Sequence, residues 1–155
     1  MHPLGLLPSV EAVLARDPVA EVYVDGSALS RYLPAAPETR AWSVWAAEHE
    51  PAVVVSQVSV LEARVTAGFL GPEAVLALLD VLVRLPRMRL SDQALRRAVL
   101  LPETLTPFTA LNVGAAQAHA GVRALATYDP AAARAAAEVG LEVVTPGRPA
   151  GWWLR

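Results

Sequence analysis

The chain predicts an α/β fold, a mainly parallel sheet of about four to five strands flanked by helices. Three observations carry this. Short apolar runs recur at Val22-Tyr23-Val24, Val53-Val54-Val55, Ala124 to Tyr128 and Val143-Val144, and continuous apolar runs fit strands buried on both faces. Stretches with helical spacing and capping residues lie between them. The chain has 155 residues, 54% of them hydrophobic, which suits one domain with a substantial core.

The elements follow in order. Ser9 to Ala15 reads as a helix within an N-terminal extension, residues 1–20. Val22-Tyr23-Val24-Asp25 is a buried strand stopped by Gly26-Ser27, and 28–33 is a short helix closed by Pro34. Glu38 to Glu48 is a helix with Trp42 and Trp45 on one face. Val53-Val54-Val55 is a strand, and Ser56 caps a helix that runs to about Phe69 before Gly71-Pro72. In that helix Val58, Leu61 and Val65 mark the expected buried stripe, with Glu62 at its border. Glu73 to Leu85 is an amphipathic helix, Met88 to Leu90 a short strand, and Ser91 caps a helix over 92–100. A small-residue helix spans Pro107 to Ala120; then come the strand Ala124 to Tyr128, the helix Pro130 to Val139 and the last strand at Val143-Val144. Residues 21–147 form the domain, and 148–155 a Trp-rich tail that either folds back on the core or meets another chain.

Composition excludes several chemistries. There is no Cys, which removes disulfide scaffolds and thiolate metal sites, and all 13 basic residues are Arg, which removes a phosphate-loop lysine and Schiff-base catalysis. A net charge of −2 shows no strongly basic nucleic-acid binder. The N-terminus lacks a basic leader and is broken by Pro3 and Pro8, and the uncharged stretch Thr104 to Val122 is too polar to span a bilayer. The expectation is a cytoplasmic protein with no membrane contact.

Two strands end in aspartate, Asp25 and Asp129. In open α/β sheets the ligand crevice lies beyond the carboxyl ends of the strands, so two carboxylates distant in sequence can meet there. Adjacent carboxylates repel unless a cation neutralises them, and a hard divalent ion suits such a pair. Each Asp can instead simply cap the helix that follows it, and Glu62 can be an ordinary solvated helix residue. Ser27 lacks a nucleophile elbow, no second Asp follows Asp25 by two residues, and His2, His49 and His119 show no ligand spacing.

Val22-Tyr23-Val24-Asp25-Gly26-Ser27-Ala28-Leu29-Ser30-Arg31 resembles the opening of the PIN-domain nucleases, closest to their VapC-like toxin branch. Ser56 to Arg64 resembles the segment leading to that family's helical Glu, and Leu125 to Asp129 with Gly140 to Gly147 resembles its C-terminal end. The resemblance covers roughly residues 22–147 and implies a PIN-like three-layer fold. It also implies a carboxylate cluster that binds Mg²⁺ or Mn²⁺ and cleaves RNA. Asp25, Glu62 and Asp129 match three of the four family acids, as metal ligands and catalytic residues, with Ser27 and Thr127 as accompanying hydroxyls. The fourth acid position holds Thr109, an accessory at most, and Glu103 lies near it in sequence. Arg31 and Asn112 match polar positions expected near substrate. A cognate antitoxin protein and a homodimer are the partners implied. A domain of this type that binds RNA or protein without cleaving is the alternative, and Thr109 separates the two. The arginines Arg84, Arg87, Arg89, Arg96 and Arg97 read either as an RNA-facing stripe or as a solvated surface.

Overall fold

The computed structural model describes residues 20–155, so the helix expected at Ser9 to Ala15 lies outside the described residues. Five parallel strands form one sheet: β1 (Val22–Val24), β2 (Val53–Ser56), β3 (Arg87–Met88), β4 (Ala124–Ala126) and β5 (Glu142–Val144), in the order β3-β2-β1-β4-β5. Among the described residues seven α-helices surround it: α1 (Gly26–Leu29), α2 (Thr39–His49), α3 (Gln57–Leu70), α4 (Pro72–Arg84), α5 (Asp92–Val99), α6 (Pro107–Ala118) and α7 (Pro130–Glu138). The three-layer PIN-like arrangement expected from the sequence is the one observed.

The strands are only two to four residues long, yet their side chains divide cleanly between two cores because alternate residues point to opposite faces. Val22 and Val24, Val53 and Val55, and Ala124 and Ala126 join Leu29, Trp42, Ala63, Leu78 and Tyr128 on one face. Tyr23, Val54 and Leu125 join Val113, Ala116, Ala132 and Ala136 on the other. Trp42 is fully buried and meets Trp45 at 5.0 Å between ring centroids, as the helical spacing predicts.

The stripe expected in α3 needs correction. Val58 is buried, but so are Ser59, Val60, Ala63 and Ala67, whereas Leu61, Val65 and Phe69 are 46%, 55% and 89% exposed. The small side chains face inward where α3 packs closely on α1, so closely that a Cβ at Gly26 would stand 2.2 Å from Glu62 Cβ. Rotating the helix this way turns Glu62 toward the end of β1. Gly71, at φ 114°, lets the chain reverse between α3 and α4, and Pro72 opens the second helix. The resulting hairpin carries an exposed apolar ridge along Leu61, Val65, Phe69, Leu76, Leu79 and Val83. No helix among the described residues is long and apolar enough to cross a membrane.

The tail folds back: Trp152–Leu154 forms a 3₁₀ turn, and Arg134 Nη2 donates to the Trp153 carbonyl at 3.1 Å. Of the arginines around β3, Arg84 is paired with Glu50, at 2.8 Å.

Candidate active site

β1 and β4 are adjacent and parallel, with Val24 opposite Ala126, so Asp25 and Asp129 emerge at the same edge of the sheet. Each does cap a helix: Asp25 Oδ1 accepts from the Ala28 N–H at 2.9 Å and Asp129 Oδ1 from the Ala131 N–H at 2.9 Å. Capping does not exhaust them. Ser27 Oγ donates to Asp25 Oδ1 at 2.6 Å, and Thr127 Oγ1 donates to Asp25 Oδ2. Thr127 Oγ1 in turn accepts from the Asp129 N–H at 3.0 Å, and Ser27 Oγ accepts from the Tyr128 N–H at 2.8 Å. The two hydroxyls thus lock Asp25 to the turn that carries Asp129.

Thr109, at the start of α6, lies on the other side of Asp129. Thr106 caps that helix and its hydroxyl donates to Thr109 Oγ1 at 2.9 Å, while Thr109 Oγ1 donates to Asp129 Oδ2 at 3.1 Å. The threonine therefore holds the neighbouring carboxylate as a neutral donor, and a fourth charge is absent at this place. Glu103 is exposed on the turn before α6 and does not replace it.

Glu62 reaches the site from α3. Asn112 Nδ2 donates to Glu62 Oε1. Asn112, 1% exposed, is fixed at its other end, where the Tyr23 hydroxyl donates to Asn112 Oδ1 at 2.7 Å. Tyr23 O–H has one proton, and with that proton on Asn112 its oxygen accepts from Ser56, at 2.6 Å, and from Ser59, at 3.1 Å. This direction of donation orients the amide so that its N–H groups face the carboxylate. Asn112, expected near substrate, is committed to protein groups at both ends and acts as a positioning residue for Glu62. Neither it nor Tyr23 carries a local motif for that role; the only signal is that Tyr23 alternates with Val22 and Val24 and so faces the layer containing α6.

Tyr23→Phe would remove the acceptor for two serines and leave Asn112 Oδ1 buried without its donor. The expected cost is about 1–2 kcal/mol, read as a lowered melting temperature. A cation-induced rise in melting temperature should shrink with it, because Asn112 can then flip. Unchanged stability would remove Tyr23 from the network.

Burial dominates the electrostatics. Asp25 is 2% exposed, and desolvation lifts its pKa above the ordinary value, against the lowering effect of its Ser27, Thr127 and Ala28 hydrogen bonds, with Asp129 adding repulsion. Glu62 is raised too, by burial first and then by the nearby charges of Asp25 and Asp129, against its hydrogen bond from Asn112. Burial also pushes the Tyr23 phenol upward, which keeps it a proton donor. No three His, Asp or Glu side chains among the described residues stand close enough to form a ready-made metal cage. The donor set is nonetheless all hard oxygen. Asp25 Oδ1 has both lone pairs engaged, but Oδ2 keeps one, and each Asp129 oxygen keeps one. Two raised carboxylates held beside a third is the charge conflict that a bound cation relieves.

Arg31 lies one turn beyond Asp25 but does not touch the acids. Its guanidinium covers the Tyr128 ring, 4.2 Å from the centroid, and pairs with Glu38 at 3.2 Å. Arg148, which no local pattern singled out, pairs with the same Glu38 at 3.0 Å.

No protein-family model and no curated protein sequence matches the chain. Solved structures do. PAE2754 from Pyrobaculum aerophilum superimposes with a TM-score of 0.60 at 23% identity, covering 81% of this chain and 85% of its own. A chain of the DNA-bound VapBC from Salmonella typhimurium superimposes with a TM-score of 0.59 at 14% identity, covering 81% of this chain and 98% of its own. At these identities the likeness is one of fold.

Proposed function

We propose that the protein is a metal-dependent endoribonuclease of the VapC type, the toxin of a toxin–antitoxin pair, hydrolysing RNA phosphodiester bonds. The observation that carries this is the meeting of two hydrogen-bonded networks at the carboxyl end of the sheet, one holding Asp25 and Asp129 and the other Glu62, which present three carboxylates from separate elements. The VapC-like fold and the oxygen-only donor set support the reading. With Mg²⁺ or Mn²⁺ held by Asp25, Asp129 and Glu62, the ion would polarise a phosphate and lower the pKa of bound water. The chain's own residues have distinct tasks. Ser27 and Thr127 aim Asp25, Asn112 aims Glu62, and Thr109 with the Ala131 N–H aims Asp129. Such preorganisation spares the site reorganisation as charge develops.

The test is cleavage of a labelled single-stranded RNA by the purified chain in Mg²⁺, in Mn²⁺ and in EDTA. Cleavage that needs the cation and is lost in Asp129→Asn is expected. Cleavage indifferent to both, or none under any condition, overturns the nuclease reading. The second reading, RNA or protein binding without cleavage, draws on Thr109, a neutral group where the resemblance expects an acid. Thr109→Asp separates them. It sets two carboxylates against each other, so in EDTA the variant should melt lower than wild type. Divalent cation should then raise its melting temperature further than it raises wild type. A silent wild type beside an active Thr109→Asp would favour the binding reading. The partner proposed is a protein antitoxin, alongside a second copy of this chain; the exposed ridge on α3 and α4 is the kind of surface a partner covers.

A further inference from the structure

We propose that Arg31 and Arg148 form a phosphate subsite for the RNA chain and that Glu38 occupies it as an internal stand-in, displaced when RNA binds. This rests on the ribonuclease reading above, and to Arg31, which the resemblance already sets near substrate, it adds Arg148 as a second phosphate contact and Glu38 as the group displaced. The two guanidiniums grip opposite oxygens of one carboxylate: Arg31 Nε lies 3.2 Å from Glu38 Oε2, and Arg148 Nε 3.0 Å from Glu38 Oε1. Planar guanidiniums that share one carboxylate equally fit a phosphodiester, which offers the same paired oxygens. The three charges sum to +1, so the cluster stays attractive to an anion even when closed.

The grip is sound between Arg148 and Glu38 Oε1 but imperfect between Arg31 and Glu38 Oε2. Arg31 Nε and Glu38 Oε2 are buried and close, yet neither makes an aligned hydrogen bond. Glu38 also sits in the left-handed region, φ 58°, which an L side chain adopts reluctantly, and its side chain gives no cap to α2. The arginines, by contrast, are well anchored. Arg31 stacks on Tyr128 at 4.2 Å, and Arg148 lies between the Tyr128 ring, at 5.5 Å, and the Trp152 ring, at 4.5 Å. The loop bearing Arg148 is pinned by the Tyr128 hydroxyl donating to the Pro146 carbonyl at 2.7 Å and by Thr145 Oγ1 donating to the Thr127 carbonyl at 2.9 Å. Gly147 brings that loop against Glu38, where an added Cβ would stand 3.3 Å from Glu38 Cγ. Fixed cations around a carboxylate that stands on strained backbone, with one oxygen lacking an aligned hydrogen bond, make Glu38 the replaceable member.

Position links the subsite to the acids. Tyr128 carries both guanidiniums on its ring, its N–H donates to Ser27 Oγ, and the next residue is Asp129. The arginine pair and the carboxylates thus border the same residue at the same end of the sheet, which is where a bound RNA strand would meet both.

Fluorescence anisotropy of a labelled single-stranded RNA, titrated in EDTA so that nothing is cut, tests this. Glu38→Gln should tighten binding by about fivefold. Arg148→Gln should weaken it by about tenfold and lower the slope of log affinity against log salt by about 1. Adding Glu38→Gln to Arg148→Gln should then gain much less than it gains alone. Glu38→Gly suits the left-handed backbone and guards against a misfolded Gln variant, with thermal melts confirming folding of both. Unchanged or weaker RNA binding in a folded Glu38→Gly overturns the subsite. Binding that responds to Glu38 in a protein that never cleaves keeps the subsite and removes the nuclease, whereas Asp129-dependent cleavage without a Glu38 effect removes the subsite alone.

Discussion

Asp25→Asn should abolish cation-dependent RNA cleavage while raising the melting temperature of the metal-free protein at neutral pH. The loss in rate, about two to three orders of magnitude, follows from removing one charged oxygen ligand worth several kcal/mol in the transition state. The gain in stability has a different origin. Asp25 is buried, and burial, with Asp129 nearby, holds its pKa above the ordinary 3.8. A carboxyl group raised in the folded state favours folding fully only below its unfolded value. As pH rises the unfolded chain ionises first, and stability falls until the folded pKa is passed. Glu62 is shifted the same way from 4.5. Without cation, wild type should therefore lose stability from the ordinary carboxylate range up toward neutrality. Asp25→Asn should be flatter with pH and melt a few degrees higher at neutral pH. Asn can still accept from Ser27 and the Ala28 N–H, and the Thr127 hydroxyl can rotate. Mg²⁺ or Mn²⁺ should raise the melting point of wild type and not of the variant. Thermal melts in EDTA and in each cation across this pH range decide the matter. A variant that melts below wild type at neutral pH would contradict the charge conflict placed at Asp25.

Gly26→Ala should be among the most damaging single-methyl additions. A Cβ there would stand 2.2 Å from Glu62 Cβ and 2.9 Å from Glu62 Cδ. The contact is with the root of the side chain, so a rotamer change cannot relieve it, and α1 and α3 must separate. Overpacking of this kind costs about 3 kcal/mol, the upper part of its usual range, or roughly 6–12 °C in melting temperature for a chain of this size. Glu62 would move with α3 away from Asn112, so cation-induced stabilisation should fall as well. Gly68→Ala is the control. An added Cβ there meets nothing within 4 Å, and the better helix former should stabilise α3 by up to about 1 kcal/mol. Equal effects from the two substitutions would mean that the close approach at Gly26 does not hold Glu62 in place.

The strands that deliver Asp25 and Asp129 were legible because buried parallel strands read as unbroken apolar runs, and each run here ends on a lone carboxylate. The helix carrying Glu62 was legible in extent but not in rotation. Leu61, Val65 and Phe69 form as good an apolar stripe as Val60, Ala63 and Ala67, and periodicity cannot choose between two such stripes. The close approach of Gly26 makes that choice. The bonding of Asn112 left no local trace, because its partners, Tyr23 and Glu62, lie 89 and 50 residues away in the chain. The pairing of Glu38 with Arg148, 110 residues on, leaves no local trace at all. What remained hidden is what depends on contacts between distant segments.

The central place of β1 in the sheet has a bearing on how the chain is made. Its two neighbours are unequal in delay: β2 follows about thirty residues later in synthesis, but β4 comes only after about a hundred. Closing so long a loop is slow compared with local helix formation. A growing chain can thus assemble Asp25 and Glu62 on β1, α1 and α3, but Asp129 joins them only when β4 has docked. Thr127, which locks Asp25 in place, arrives with the same strand. The three carboxylates would by this order of assembly stay apart during synthesis until β4 has paired with β1.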